Sequence, residues 1–313
     1  MAHIIVTGAA GFIGSHTVDG LLTAGHAVTG IDNFRTGRRA NLAGALAHPR
    51  FQLHELDVTA AGAFEQVVAA QPADAIIHLA ALVSVPESMT NPALNYLLNI
   101  HATQLVAEAA RQHRVPRVVF GSSAAIYGHA TSLPLRESAD KHPISPYGAA
   151  KLASEVLLLS YGAAFGLIVR SQRYFNVFGP RQDPASPYSG VISIFDRCYR
   201  EGKAVTIHGD GRQTRDFISV HDVARANVIT ATRADFSGAA NICTGRAVSL
   251  LEVAAIFGRH HPGVGPPIHV APRPGDILRS QGAPDEAARA LGFRAEVSIE
   301  DGLAELIRAQ SVS

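Results

Sequence analysis

Short apolar runs alternate with longer amphipathic stretches through the first 170 residues, and this alternation constrains the fold more than any other property of the chain. Runs at 3–7, 27–32, 51–56, 75–79, 117–122 and 167–174 are bounded by turn residues, as strands buried on both faces are. Between them, 12–24, 60–70, 93–113 and 148–165 read as helices. β and α alternating at this spacing imply a parallel sheet with right-handed crossovers and helices on both faces. The expected class is α/β, a doubly wound parallel sheet over residues 1–174. After Tyr174 the texture changes: Pro and Gly cluster at 179–187 and 262–275, and the alternation weakens. Residues 175–313 read as a smaller C-terminal α/β substrate lobe. Segments within about 221–260, such as 221–232 and 249–259, are expected to pack back on the first domain.

Composition excludes several classes of function. Lys and Arg number 27 against 26 Asp and Glu, a balance that argues against a nucleic-acid partner held by bulk charge. Two cysteines, Cys198 and Cys243, make neither a disulfide framework nor a CxxC pair, so no metal site is expected. No apolar run reaches the length of a membrane span, and the apolar run at Ile4, Ile5 and Val6 leaves no room for a signal peptide. A soluble cytoplasmic protein without a membrane partner is the expectation.

Gly8-Ala-Ala-Gly11-Phe12-Ile13-Gly14 follows the first strand and opens the first helix. Glycines at this spacing allow a tight turn and close approach of a pyrophosphate to a helix N-terminus, a variant of the dinucleotide fingerprint. The expected sheet is therefore Rossmann-type. Asp32 ends the second strand, 18 residues beyond Gly14, where a carboxylate accepts hydrogen bonds from ribose hydroxyls and repels a 2′-phosphate. Arg35, Arg38 and Arg39 lie just beyond and speak for NADP, but Asp32 puts NAD first. Asp57 and Val58 follow the third strand, placed to meet the adenine.

Tyr147 and Lys151 are four apart and share one face of a helix. An ammonium beside a phenol favours the phenolate, which suggests a base usable near neutrality. Ser122 and Ser123 end the fifth strand, on the side of the sheet where such folds bind ligands. Ser, Tyr and Lys beside a dinucleotide describe hydride transfer at an alcohol carbon.

These residues stand in eight stretches: TGAAGFIG (7–14), DNFRTGRRANL (32–42), HLAALVSVPES (78–88), FGSSAAIYG (120–128), SPYGAAK (145–151), RYFNVFGPRQDP (173–184), GDGRQTRDFISVHDV (209–223) and RPGDI (273–277). In this order, over nearly the whole chain, they resemble the extended short-chain dehydrogenases/reductases, specifically the nucleotide-sugar 4-epimerases of the UDP-glucose/UDP-N-acetylglucosamine type. The resemblance implies Ser123 as catalytic serine with Ser122 in support, Tyr147 as the proton-transferring tyrosine, and Lys151 on the nicotinamide ribose. It implies His78, Leu79, Ala80 and Ala81 in the loop backing NAD, with Asn33 and Asn99 beside it. On the substrate side it implies Ser84 and Val191; Asn176, Arg215 and Arg273 at the diphosphate; and Asp276 at the uridine ribose. A homodimer, with the helices at 93–113 and 148–165 at its interface, is implied as well.

The related dehydratases carry Asp and Glu after the catalytic hydroxyl, where this chain has Ala124 and Ala125, side chains that cannot move a proton. Epimerisation needs no further acid: oxidation at C4, rotation of the sugar and return of the hydride to the other face suffice. The position seven residues after the Arg of RPGD borders the C2 substituent in the family; here it is Ser280, small enough for N-acetyl groups. UDP-GlcNAc and UDP-GalNAc are thus expected as substrates beside UDP-Glc and UDP-Gal. UDP-glucuronate 4-epimerase, another nucleotide-sugar epimerase or dehydratase, and an idle NAD(H)-binding regulator are the alternatives.

Overall fold

The computed structural model describes residues 1–129, 132–183, 190–233, 237–273 and 277–310. Its strands are β1 (His3–Thr7), β2 (Ala27–Asp32), β3 (Phe51–Glu55), β4 (Ala75–His78), β5 (Arg117–Ser123), β6 (Ile168–Tyr174), β7 (Asn176–Phe178), β8 (Thr206–His208), β9 (Thr214–Arg215), β10 (Phe217–Ser219), β11 (Gly238–Ile242), β12 (Val248–Ser249) and β13 (Ile268–Val270). Its helices are α1 (Phe12–Thr23), α2 (Ala43–Leu46), α3 (Ala63–Ala70), α4 (Val85–Thr90), α5 (Pro92–Asn95), α6 (Ala102–Gln112), α7 (Pro146–Phe165), α8 (Val191–Arg200), α9 (Val220–Arg233), α10 (Leu250–His260), α11 (Asp285–Leu291) and α12 (Ile299–Gln310).

Seven strands form one parallel sheet in the order β11-β6-β5-β4-β1-β2-β3. Successive side chains of each central strand feed opposite layers. Ile4, Val6, Ile77 and Val119 pack toward α1 and α9, while Ile5, Ile76, Val118 and Phe120 join Val106 and Leu158 on the other face. Burial on both faces is why these strands read as continuous apolar runs. The sheet is built outward in two directions from β1, with β2 on one side and β4 on the other. The crevice beyond the carboxyl ends of β1 and β4 is therefore the topological switch point where doubly wound sheets take ligands.

Three expectations need correction. The stretch 93–113 is not one helix: after α5 a π-helical turn spans Tyr96–His101 before α6. Asn99, in that turn, bonds the backbone of Leu82, and such wide turns gather at functional sites. Helix α3 starts at Ala63 rather than residue 60, because Gly62 before it is left-handed, with φ +72°. Of the two segments expected back on the sheet, α9 packs on α1, β4 and β5, but α10 packs against α8 and α12. That second cluster holds Phe178, Phe195, Tyr199, Phe217, Phe257 and Leu303, with Tyr199 stacked on Phe257. Strand β11 has no counterpart among the expected strands. Its Gly-Ala-Ala-Asn-Ile has no apolar run, and it becomes a strand because the open edge of β6 offers backbone partners from Arg170 to Tyr174.

No described helix is long and apolar enough to cross a membrane. Among the described residues, no three His, Cys, Asp or Glu side chains gather as metal ligands would.

Candidate active site

The turn after β1 is shaped by glycines that nothing larger can replace. Gly8 leaves the strand at φ +70°, and a Cβ there would stand 2.8 Å from the Ala80 nitrogen. At Gly14 a Cβ would lie 1.9 Å from the Gly8 carbonyl oxygen, so the first turn of α1 rests directly on this loop. Gly11 caps α1 without a side chain, and no acidic residue occupies the first turn. Phe12 and Ile13 thus open a helix end whose N–H groups and dipole suit an anion.

Asp32 stands at the end of β2, buried, its carboxylate accepting from the Ala10 and Phe34 nitrogens at 2.8 Å each. Burial raises its pKa, and these backbone N–H groups hold it partly down. All three arginines that spoke for NADP face carboxylates: Arg35 pairs with Glu87, Arg38 with Asp183 at 2.7 Å, and Arg39 with Glu55 at 2.9 Å. A 2′-phosphate here would meet Asp32 and guanidinium groups already engaged. Asn33 donates to Asp57 at 2.8 Å, and Thr59 donates to the same carboxylate. Burial works against the charge on Asp57, but these bonds outweigh it and lower the pKa. Val58 turns instead into the core. A cradle that no Cβ would fit, a bare helix end and an acidic strand terminus together fit NAD.

The loop after β4 backs the crevice. Thr7 Oγ1 lies 2.8 Å from His78 Nδ1 and accepts from the Leu79 and Ala80 nitrogens at 3.2 Å. His78 is fully buried and burial lowers its pKa to about 3, so it is neutral. Beyond Ala81, Asn99 grips the Leu82 backbone on both sides, with its Nδ2 also 2.7 Å from Asn95 Oδ1. Asn99 thereby shapes the loop for which the sequence implies cofactor contact.

Helix α7 brings Tyr147 and Lys151 to this loop cluster. Ser145 caps it, Pro146 sits in its first turn, and Asn95 holds the Pro146 carbonyl at 3.0 Å. The Tyr147 nitrogen donates to Ser88 Oγ at 3.1 Å. Gly148 lets the helix press onto the segment after β5, since a Cβ there would lie 2.7 Å from the Ala125 carbonyl oxygen. This close approach sets Tyr147 beside Ser123 at the β5 terminus. The electrostatics differ from the sequence expectation. Burial raises the Tyr147 pKa, and the neighbouring Ser123 hydroxyl draws it partly back. Lys151 is buried, donates to the Gly121 carbonyl at 2.7 Å, and burial lowers its pKa to about 7. Burial thus works against the charged form of both side chains, opposite in direction to the ammonium–phenolate pairing expected from their spacing.

On the substrate side the residues come from several elements. Ser84 caps α4, its oxygen accepting from the Glu87 nitrogen, and keeps its proton and a second lone pair for another partner. Asn176 opens β7 and is exposed, while Val191 begins α8 against the second core. Arg215 in β9 donates to the Thr214 and Ile277 carbonyls at 2.9 and 2.6 Å. The Ser280 nitrogen donates to the same Thr214 carbonyl, so Arg215 and Ser280 lie on paired segments. Arg273 is exposed, and Asp276 lies outside the described residues.

Sequence reasoning passed over three groups. Asp216 accepts from the Thr244, Gly245 and Gly282 nitrogens and so ties the loop at 244–245 and the segment at Gly282 together behind Arg215 and Ser280. Gly148 gave no signal of its own. Glu155, four residues after Lys151, accepts from Ser122, Ser171 and Arg173 in the core, and its helical spacing was the available clue.

A doubly wound sheet with a glycine cradle, an acidic β2 terminus and Ser, Tyr and Lys at one crevice defines a dinucleotide-dependent enzyme of the extended short-chain dehydrogenase/reductase class. Residues 4–243 match the NAD dependent epimerase/dehydratase family, and the chain belongs to it. It is 37% identical to a UDP-glucose 4-epimerase of Mycolicibacterium smegmatis, over 97% of this chain and 96% of that protein. The fold superimposes with a TM-score of 0.94 on a UDP-N-acetylglucosamine 4-epimerase from Methanobrevibacter ruminantium, solved with UDP-N-acetylmuramic acid, at 35% identity and covering 99% and 98% of the two chains. A UDP-glucose 4-epimerase from Thermotoga maritima, solved with UDP-glucose, gives 0.93 at 34% identity, covering 99% of this chain and all of that one.

Proposed function

We propose that this protein interconverts UDP-sugars at C4, acting on UDP-GlcNAc and UDP-GalNAc with UDP-Glc and UDP-Gal as further substrates. The observation that carries the reading is the company of Ser123: Tyr147 and Lys151 stand at its crevice, and the adjoining Ala124 and Ala125 offer no acid or base for elimination. The Gly8, Gly11 and Gly14 turn and Asp32 would hold NAD, which would supply the hydride acceptor and donor for C4. Ser123 holds the C4 hydroxyl, and Tyr147 removes and later restores its proton. Lys151, on the same face of α7 as Tyr147, binds the nicotinamide ribose.

Asn176, Arg215 and Arg273, with Asp276 at the nucleoside, hold the UDP moiety while the sugar turns. Guanidinium forks suit phosphate oxygens, and binding away from the reacting carbon positions it without fixing its face. Ser280, paired to the β9 segment that carries Arg215, leaves room for an acetamido group. Residues 1–174, with α9 and β11 added, make the NAD-binding domain, and most of 175–313 the substrate lobe. Exposed Val83, Val85, Met89, Tyr96, Leu97, Val156 and Phe165, around α4 to α7, support a homodimer through these helices.

The test is incubation of purified protein with UDP-GlcNAc or UDP-Glc, without added NAD, followed by assay for the 4-epimer. Failure with every UDP-, GDP- and dTDP-sugar, UDP-glucuronate included, would leave only the regulator.

A further inference from the structure

Behind the candidate crevice lies a buried ion pair that the mechanism above does not use. Glu155 and Arg173 are 2% and 3% exposed. Glu155 stands on α7 at one helical repeat after Lys151 and two after Tyr147, so the three share a face. Its carboxylate lies over the β5–β6 pair. Oε1 accepts from Arg173 Nη2 at 2.5 Å, while Oε2 accepts from Ser122 Oγ at 2.9 Å and Ser171 Oγ at 2.7 Å. Arg173 is the cross-strand partner of Ser122, and Ser171 that of Phe120.

The guanidinium continues the chain of contacts past Ser123. Arg173 Nη1 donates to the Tyr127 hydroxyl at 2.7 Å and to the Glu137 carbonyl at 3.0 Å. Tyr127 donates to Asn241 Oδ1 at 2.7 Å. The segment that starts at Ser123 is thus held just before it, through Ser122, and four residues after it, through Tyr127.

We propose that Glu155 is a positioning residue for the reaction, fixing through its bond to Ser122 the distance between Ser123 on β5 and Tyr147 on α7. The proposal rests on the epimerase reading. The physical case is that a helix and a strand can slide past one another by tenths of an ångström on an apolar interface, whereas a carboxylate bonded to both cannot. Proton transfer between hydroxyl and phenol depends steeply on that distance; a misplacement of about 1 Å can cost on the order of a hundredfold in rate.

Glu155→Gln would strand a buried guanidinium and endanger the fold, so the serines provide the test. Ser122→Ala and Ser171→Ala each delete one hydroxyl bond to the same carboxylate oxygen, at equally buried positions. Only Ser122 adjoins Ser123. Thermal melts and steady-state epimerisation are measured for wild type and both variants. The expected result is a comparable small loss of Tm in both. For Ser122→Ala, kcat should fall about tenfold with KM within twofold, a fraction of what a 1 Å displacement costs. For Ser171→Ala, kcat should stay within twofold. Equal kcat values in the two variants, whether both fall or neither does, would overturn the positioning role and leave Glu155 a part of the core. A wild type inactive on all UDP-sugars would overturn the epimerase reading itself, a separate result visible before any variant is made.

Discussion

Replacing Lys151 by Met should alter the pH dependence of stability in a way that no surface lysine would. The ammonium is 4% exposed and burial lowers its pKa from 10.5 to about 7. Between those values the unfolded chain holds a proton that the folded chain has released, so the wild type gains stability as pH rises from about 7 toward 10.5. Below pH 7 both states are protonated and the folded state bears the full cost of a buried charge. At about 1.36 kcal/mol per pH unit, that cost is on the order of 5 kcal/mol as an upper limit. Roughly 3 kcal/mol of it is recovered between pH 6 and pH 9.5. Methionine has a similar reach and no proton, so the linked change disappears. Loss of the bond to Gly121 costs about 1 kcal/mol at every pH and cancels from the comparison. Urea unfolding of NAD-stripped protein, followed by far-UV circular dichroism because the chain has no Trp, measures both curves. The advantage of the Met variant should be largest at pH 6 and shrink by about 3 kcal/mol by pH 9.5. A difference that stays constant across that range would refute the claim that burial holds this lysine near neutrality.

Purified protein should release NAD(H) on denaturation, and Asp32→Ala should relax its preference for NAD over NADP, read by dinucleotide binding. A protein isolated empty and selecting NADP would defeat the reasoning from Asp32. Tyr147→Phe should abolish epimerisation while UDP-sugar affinity, measured by calorimetry, changes little, because phosphate anchoring uses other residues. Ser280→Tyr should turn the enzyme against N-acetylated sugars. Overpacking costs roughly 1–3 kcal/mol, or about ten- to a hundredfold in the ratio of kcat/KM between UDP-GlcNAc and UDP-Glc. Equal losses on both sugars would remove Ser280 from the C2 pocket.

Features that a few consecutive residues encode are legible in the amino-acid sequence. Gly8, Gly11 and Gly14 are read from spacing alone because the tight turn they permit shows as glycines three residues apart, although it is Ala80, far along the chain, that excludes a Cβ at Gly8. Tyr147 and Lys151 follow from helical periodicity, and Ser123 from the end of an apolar run. The strands β1 and β2 coincide with their apolar runs for the same reason: burial on both faces writes itself directly into residue type.

Groups separated along the chain leave no such trace. Glu155 and Arg173 are 18 residues apart and meet only because α7 crosses the β5–β6 pair. Strand β11 exists because an edge was open to it. Arg35, Arg38 and Arg39 read as free cations until the fold sets a carboxylate against each. The sequence by itself determined the apolar strands, the glycine turn and the candidate Ser, Tyr and Lys side chains, since burial on both faces, a tight turn and a helical repeat are each written in a few consecutive residues. The tertiary structure alone decided how those side chains titrate: desolvation depends on what the rest of the chain lays over a group, and it raised Tyr147 and lowered Lys151 where their four-residue spacing had pointed to an ammonium activating a phenol.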